Sequence, residues 1–193
     1  MPGSLRILGR KLLSEGFGRL ERIVIDRKRF NGEKQDVVRE LYDTGHGAAI
    51  LLYDASRSRV LLVRQFRLPA YIGDARTSLV EVCAGKLEGD EPHQCIVREV
   101  REETGFAIAN PQFLFSAYSS PGCFAEKIFY FAAPYHQDQR VGPGGGLATE
   151  AEDIEILEPT LDEALAMIET GEISDAKTIV LLFYAKLHNV MQD

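Results

Sequence analysis

Two dense apolar runs lie at residues 47–65, where "GAAILLYD" and "RVLLVRQ" flank the polar stretch "ASRS". Two β-branched, aliphatic runs with tight polar punctuation predict a hairpin. "RLERIVIDRKRF" (19–30) and "QDVVRELYDTG" (35–45), joined by "NGEK", predict two further strands. "SLVEVCAG" reads as one strand ending at Gly85, and "QFLFSAYS", "EKIFYFAA" and "DIEILEP" read as three more. Between them the period changes. Pro92 suits the first turn of a helix, where its missing N–H has no partner to lose. Gly105 suits the residue just past the end of that helix. Ile96 and Val100 then share a stripe that can face a core. Thr160 and Glu163 are spaced as a capping box at the start of "TLDEALAMIETGE". "SDAKTIVLLFYAKLHNVMQ" predicts a last helix through Gln192, with Ser174 or Asp175 as its N-cap. Strands and helices interleave without a strict βαβ rhythm. The pattern predicts a mixed α/β sandwich preceded by a small N-terminal antiparallel β appendage, residues 1–45. Two strands alone are marginal in water, so the appendage needs a larger sheet or a partner.

Composition narrows the classes. A chain of 193 residues can bury a substantial core. The net charge of −7 argues against nucleic acid as a backbone partner. No apolar run approaches the ~20 residues of a membrane span, and the start "MPGSLRILGRKLL" lacks the apolar core of a signal peptide. Three widely spaced cysteines (Cys83, Cys95 and Cys123) form no C-x-x-C, and are expected to be buried free thiols in a reducing cytoplasm. The four histidines form no zinc-binding pattern.

The chemistry concentrates in "REVREETGF", residues 98–106. On a helix, Glu99, Glu102 and Glu103 project from one side, with Glu99 and Glu103 one turn apart. Like charges at that spacing destabilise an isolated helix by about 0.2–0.5 kcal/mol per pair. Either the face is simply solvated, with Arg98 and Arg101 offsetting the repulsion, or it holds a divalent cation. Hard cations take carboxylates, water and substrate phosphates as ligands. The left flank, "AGKLEGDEPHQCIV", places a glycine turn directly before the acidic helix.

Together these residues resemble the Nudix box, Gly-x5-Glu-x7-Arg-Glu-U-x-Glu-Glu-x-Gly-U, with U apolar. Arg98, Glu99, Val100, Glu102, Glu103, Gly105 and Phe106 fill the second half. The first half departs: the acid separated from Arg98 by seven residues is Asp90, with only four residues between it and Gly85, whereas Gly85-x5-Glu91 shortens the second gap to six. The resemblance implies a Nudix hydrolase domain over residues 46–193, with the alpha-beta-alpha sandwich of that fold, and Mg²⁺- or Mn²⁺-assisted hydrolysis of a nucleoside diphosphate linked to another moiety. Metal on Glu99 and Glu103 would invert the field of an acidic face that otherwise repels pyrophosphate. Arg98 would orient a glutamate by charge-assisted hydrogen bonding. The resemblance also implies a ligand in the Ala84 carbonyl and a further loop carboxylate, Glu152, with Glu150 as the alternative or as general base. The glycine-rich run "GPGGG" reads as a mobile loop that closes the acidic segment over substrate. It is not a phosphate-binding P-loop, since it lacks G-K-[ST].

Resemblance extends along most of the chain, through "VLLVRQFRLPAY", "AYSSPG" and "ETGEISDAKTIVLL", to the GDP-mannose hydrolase branch, close to the ADP-ribose pyrophosphatases. That branch implies a homodimer with exchanged N-terminal strands. By position it implies Phe17 stacking on the base, and Arg39 and Glu40 facing the partner's site. Arg67 would contact phosphate, Gly85 and Lys86 would line the pyrophosphate, and Glu126 and Lys177 would lie near the sugar. Three functions stay open: hydrolysis of GDP-mannose, hydrolysis of ADP-ribose, and a non-catalytic nucleotide-binding module.

Overall fold

The computed structural model describes residues 5–191. These form two compact units, one of residues 5–46 with Tyr118–Lys127 and one of Gly47–Ala117 with residues 128–191.

The first unit is a three-stranded antiparallel sheet, β1 (Leu5–Glu15), β2 (Arg19–Lys28) and β3 (Lys34–Asp43), in that order. Periodicity had predicted only the last two strands. β1 alternates poorly, and two register shifts in its pairing with β2, at Ile7/Gly9 and Leu12/Ser14, show why: bulges break the period of two. Residues 1–4 of the predicted appendage lie outside the described residues. Val37 is the one buried apolar side chain described in this unit. Leu5, Ile7, Leu8, Leu12, Leu13 and Val38 are exposed along the strands.

The second unit is a mixed sheet between helices. Its strands are β4 (Gly47–Asp54), β5 (Arg59–Gln65), β6 (Leu79–Glu81), β7 (Cys83–Lys86), β8 (Gln112–Tyr118), β9 (Lys127–Pro134) and β10 (Glu155–Leu157). The order is β10-β5-β4-β9-β8, with β4 and β9 parallel. β4 and β5 pair near their turn and then splay apart. The segment read as one strand, 78–85, wedges between them as two: β6 pairs with β5, and β7 pairs with β4. The break at Val82 is the change of partner.

Alternate residues of β4 point to opposite layers, as a strand's period of two requires. Ala49 and Leu51 join Val60, Leu62, Leu181 and Leu182 on one face. Ala48, Ile50 and Leu52 join Leu61, Ile96, Val100 and Phe106 on the other. Burial on both faces explains the near-continuous apolar runs. The helices are α1 (Leu68–Asp74), α2 (Pro92–Glu99), α3 (Leu161–Glu169) and α4 (Ala176–Leu187). α1 is absent from the pattern-based reading; Pro69 in its first turn is its only strong signal. Both bonds of the Thr160–Glu163 capping box form, and Asp175 is the N-cap of α4. α4 ends at Leu187, short of the predicted end at Gln192, which lies outside the described residues. No helix among the described residues is long and apolar enough to cross a membrane.

Candidate active site

α2 does not simply run on to Thr104. From Val100 to Thr104 the chain widens into a π-helical turn, a rare geometry that concentrates at functional sites. Gly105 closes it at φ 75°, in the left-handed region that glycine occupies at little cost. Val100 and Ile96 anchor the helix in the core, as their spacing predicts. The same turn carries Glu99, Glu102 and Glu103 into three different environments.

Glu103 is 1% exposed, and its Oε2 has no hydrogen-bond partner. Burial pushes its carboxyl up to about 8, aided by the charges of Glu99 and Glu152; the Cys83 thiol and Arg67 work against the shift. Glu99 packs over Gly85, where any Cβ would collide with its carboxylate. Burial, with repulsion from Glu102, Glu152 and Glu150, raises Glu99 to about 7 despite the Arg98 guanidinium. Arg98 reaches Glu99 at 3.0 Å, Glu102 at 3.1 Å and Asp90 at 3.7 Å. Of the two loop acids, it is therefore Asp90 that meets Arg98; Glu91 occupies the N-cap of α2 and makes no side-chain cap bond. A groove of about 670 Å³ opens along the outer side of α2, bounded by His93, Val97, Arg98 and Glu102 among others.

β7 presents Cys83 against Glu103, Ala84 next, and then Gly85 beneath Glu99. The glycine-rich segment, whose composition reads as a mobile flap, is tied to the acidic turn by backbone hydrogen bonds. Gly145 N donates to the Glu103 carbonyl at 2.8 Å and Gly146 N to the Glu102 carbonyl at 3.1 Å. Val141 N and Gly142 N both donate to the Gly105 carbonyl. The run thus serves as the C-terminal clasp of the acidic helix, using carbonyls that every helix end leaves unpaired. Glycine is required because Gly144 and Gly146 sit at φ 69° and 80°, and a Cβ on either would strike Thr104 and Glu103 backbone or the Glu152 side chain. Beyond the clasp, Glu152 accepts from Leu147 N at 2.9 Å and is half-buried, within electrostatic reach of Glu99 and Glu103. Glu150 is exposed on the neighbouring turn.

The sequence-predicted residues divide accordingly. Arg98, Glu99, Glu102, Glu103, Ala84, Gly85, Glu150 and Glu152 come together, while Arg67 and Lys177 both bind the carboxylate of Glu81. Lys86 lies at the end of β7. In the other unit, Phe17 is 81% exposed at the β1–β2 turn, Arg39 donates to the Val38 carbonyl, and Glu40 pairs with Arg22. Glu126 lies there too, its carbonyl accepting from Ser119 N. Cys83 and Cys95 are buried as expected, but Cys123 is exposed, because its segment is a loop rather than a core strand. Nothing in the pattern announces the partners of Glu81, the pairing of Asp175 with Lys177 or the Cys83 contact. A lone carboxylate in "LVEVC" was the available signal for Glu81, since buried charge demands a partner.

Among the described residues, no three metal-ligating side chains are already gathered into a cage. The donor set nonetheless fits a hard divalent ion. An unpartnered buried carboxylate oxygen, and two glutamates held protonated near neutrality by burial and mutual repulsion, are what a nearby cation would relieve.

A NUDIX domain family matches residues 43–181. The chain is 46% identical to the GDP-mannose pyrophosphatase of Pectobacterium atrosepticum, over 96% of this chain and 95% of that protein. It is 43% identical to the GDP-mannose pyrophosphatase of Shigella flexneri, over 99% and 100%. The corresponding protein of Yersinia enterocolitica is 45% identical over 94% and 95%. A solved ADP compounds hydrolase shares the fold, with a TM-score of 0.72 at 17% identity over 94% of this chain and 92% of that one. Nudix hydrolases generally need a divalent metal, and the acidic turn, its glycine clasp and the near full-length likeness agree that this chain belongs to the Nudix family of hydrolases.

Proposed function

We propose that the chain hydrolyses the pyrophosphate bond of a nucleoside diphosphate sugar, GDP-mannose, to GMP and mannose 1-phosphate, with Mg²⁺ (or Mn²⁺) as cofactor. The observation that carries the reading is near full-length likeness to GDP-mannose pyrophosphatases in a chain whose Glu99, Glu102 and Glu103 are intact. Glu99, Glu103, Glu152 and the Ala84 carbonyl hold the metal. Bound there, a divalent ion supplies Lewis-acid polarisation of phosphoryl oxygens and a more acidic water. Arg98 fixes Glu99 and Glu102. Glu150, exposed beside the ligands, takes the proton of the attacking water or stands in for Glu152 as ligand. Gly85, Lys86 and Arg67 meet the pyrophosphate, and Glu126 and Lys177 the sugar side.

The working form is a homodimer with exchanged N-terminal strands, Phe17 stacking on the base and Arg39 and Glu40 serving the partner's site. Three long strands with a single buried apolar side chain support a partner for that sheet. Three free cysteines suit a cytoplasmic setting. ADP-ribose is the second reading, favoured by the fold shared with an ADP compounds hydrolase. Purified protein with Mg²⁺ is expected to show a higher kcat/KM for GDP-mannose than for ADP-ribose, and none for either in excess chelator. The reverse ranking replaces the substrate; undiminished activity in chelator removes the metal.

A further inference from the structure

β6 places one charge in an apolar run. Glu81 stands between Val80 and Val82, and all three are buried. A carboxylate there persists only when it is paired and hydrogen-bonded. It is paired twice. Arg67 donates through Nε to Oε1 at 3.0 Å and through Nη2 to Oε2 at 2.9 Å. Lys177 Nζ donates to the same Oε2 at 3.0 Å. Lys177 also donates to Asp175 Oδ1 at 2.9 Å. The other Asp175 oxygen accepts from the Thr178 backbone and hydroxyl, and that hydroxyl accepts from Val82 N at 2.8 Å. The network therefore bolts the N-cap of α1, the wedge strand β6 and the N-terminus of α4 to one another.

Its charges cancel in number but not in position. The side chains of Glu81, Asp175 and Lys177 are 2%, 16% and 17% exposed, against 40% for Arg67. The two anions and the Lys177 ammonium lie inward, and the Arg67 guanidinium outward. Two cations that would repel each other are brought onto one carboxylate oxygen. Arg67 spends Nε and Nη2 on Glu81, leaving Nη1 as the nitrogen that Glu81 does not engage. Arg67 also lies within electrostatic reach of Glu103, so the clamp borders the acidic turn.

We propose that Glu81 is a positioning residue, which fixes Arg67 and Lys177 as a preorganised pair of cations for the phosphate on the sugar side of the substrate. The proposal rests on the function argued above, in which both cations meet substrate. Holding them in place beforehand removes the ordering cost that two long, flexible side chains would otherwise impose at binding.

The test uses full-length protein, GDP-mannose and Mg²⁺, with R67A, K177A, E81Q, E81D and the R67A/E81Q double variant, each with kcat, KM and a thermal midpoint. E81Q is expected to raise KM about tenfold with kcat within about threefold, the pattern of lost uniform binding. E81D, which keeps the charge, recovers part of the loss. In the R67A background, E81Q adds less than about threefold, because residues acting through one another are not additive. Three outcomes overturn the proposal: R67A raises KM while E81Q does not; the E81Q and R67A effects multiply; or both Glu81 variants fail to fold, which assigns the residue to the fold alone. A lower midpoint with unchanged KM counts with the first. If instead R67A and K177A leave KM unaltered while GDP-mannose is still hydrolysed, the contacts assigned to these cations are wrong and Glu81 has nothing to position. If GDP-mannose is not hydrolysed by the unmodified protein, the substrate reading falls first.

Discussion

Glu99 and Glu103 hold their protons to about 7 and 8, whereas an unfolded chain releases them near the ordinary glutamate value of 4.5. Between those values the folded protein binds more protons than the unfolded one, so metal-free stability falls as pH rises from about 4.5 to about 8. Protons and metal compete for the same oxygens, so the stabilisation contributed by Mg²⁺ grows over the same range. Thermal midpoints measured with and without Mg²⁺ across that range check both slopes, and E103Q is expected to flatten the metal-free one. E99Q and E103Q keep shape and remove charge. Each is expected to lower kcat by about 10²–10⁴ while leaving the metal-free midpoint unchanged or higher. Full activity in both variants would return the acidic turn to a solvated face. At this scale the sequence was legible where spacing alone decides, as with Glu99 over Glu103. It was not legible where a partner comes from a distant strand. Nothing in the spacing announces that Cys83 touches Glu103, or that Asp90, rather than Glu91, meets Arg98.

Elements with local signals were read correctly: the Thr160 capping box, the Asp175 cap and the Gly105 stop are each written within a few residues. What failed was non-local. One apolar run became β6 and β7 because two different strands claim its halves. The glycine run was read as a flap because composition reports backbone freedom, not whether carbonyls elsewhere take up that freedom. Its clasp makes a specific expectation. G144A and G146A force a side chain into a left-handed position against backbone or Glu152, a strain of about 1–3 kcal/mol. Both are expected to lower the thermal midpoint and, by loosening Glu102, Glu103 and Glu152, to lower kcat as well. At Gly142, where an added Cβ meets nothing within 4 Å, alanine is expected to do neither. Equal behaviour of all three variants would show that the segment is a free loop after all.

For the whole molecule, the mixed α/β class was legible because apolar runs buried on both faces, alternating with amphipathic helices, admit few architectures. The three-stranded nature of the N-terminal sheet was not, since bulges in β1 erase its alternation. That sheet leaves five aliphatic side chains of β1 exposed. Light scattering is expected to give a dimer, and dilution is expected to lower both the midpoint and the activity, as mass action requires of a stability shared between protomers. A fully active monomer at high concentration would remove the exchanged-strand arrangement.

The wedge at 79–86 has a consequence for how such a chain can vary over time. Glu81 and Gly85 lie four residues apart on a single thread that changes neighbours at Val82. Because facing in a strand alternates residue by residue, inserting or deleting one residue anywhere in the wedge would turn one half over while the other stayed put. The cation clamp and the glycine under Glu99 would then no longer be served by the same thread. Point substitutions along the wedge degrade one function at a time, but a change of length uncouples two at once. Relatives are therefore expected to vary in the identities of these residues far more readily than in their number, and a library of single-residue insertions scored for folding and hydrolysis would reveal 79–86 as a gap.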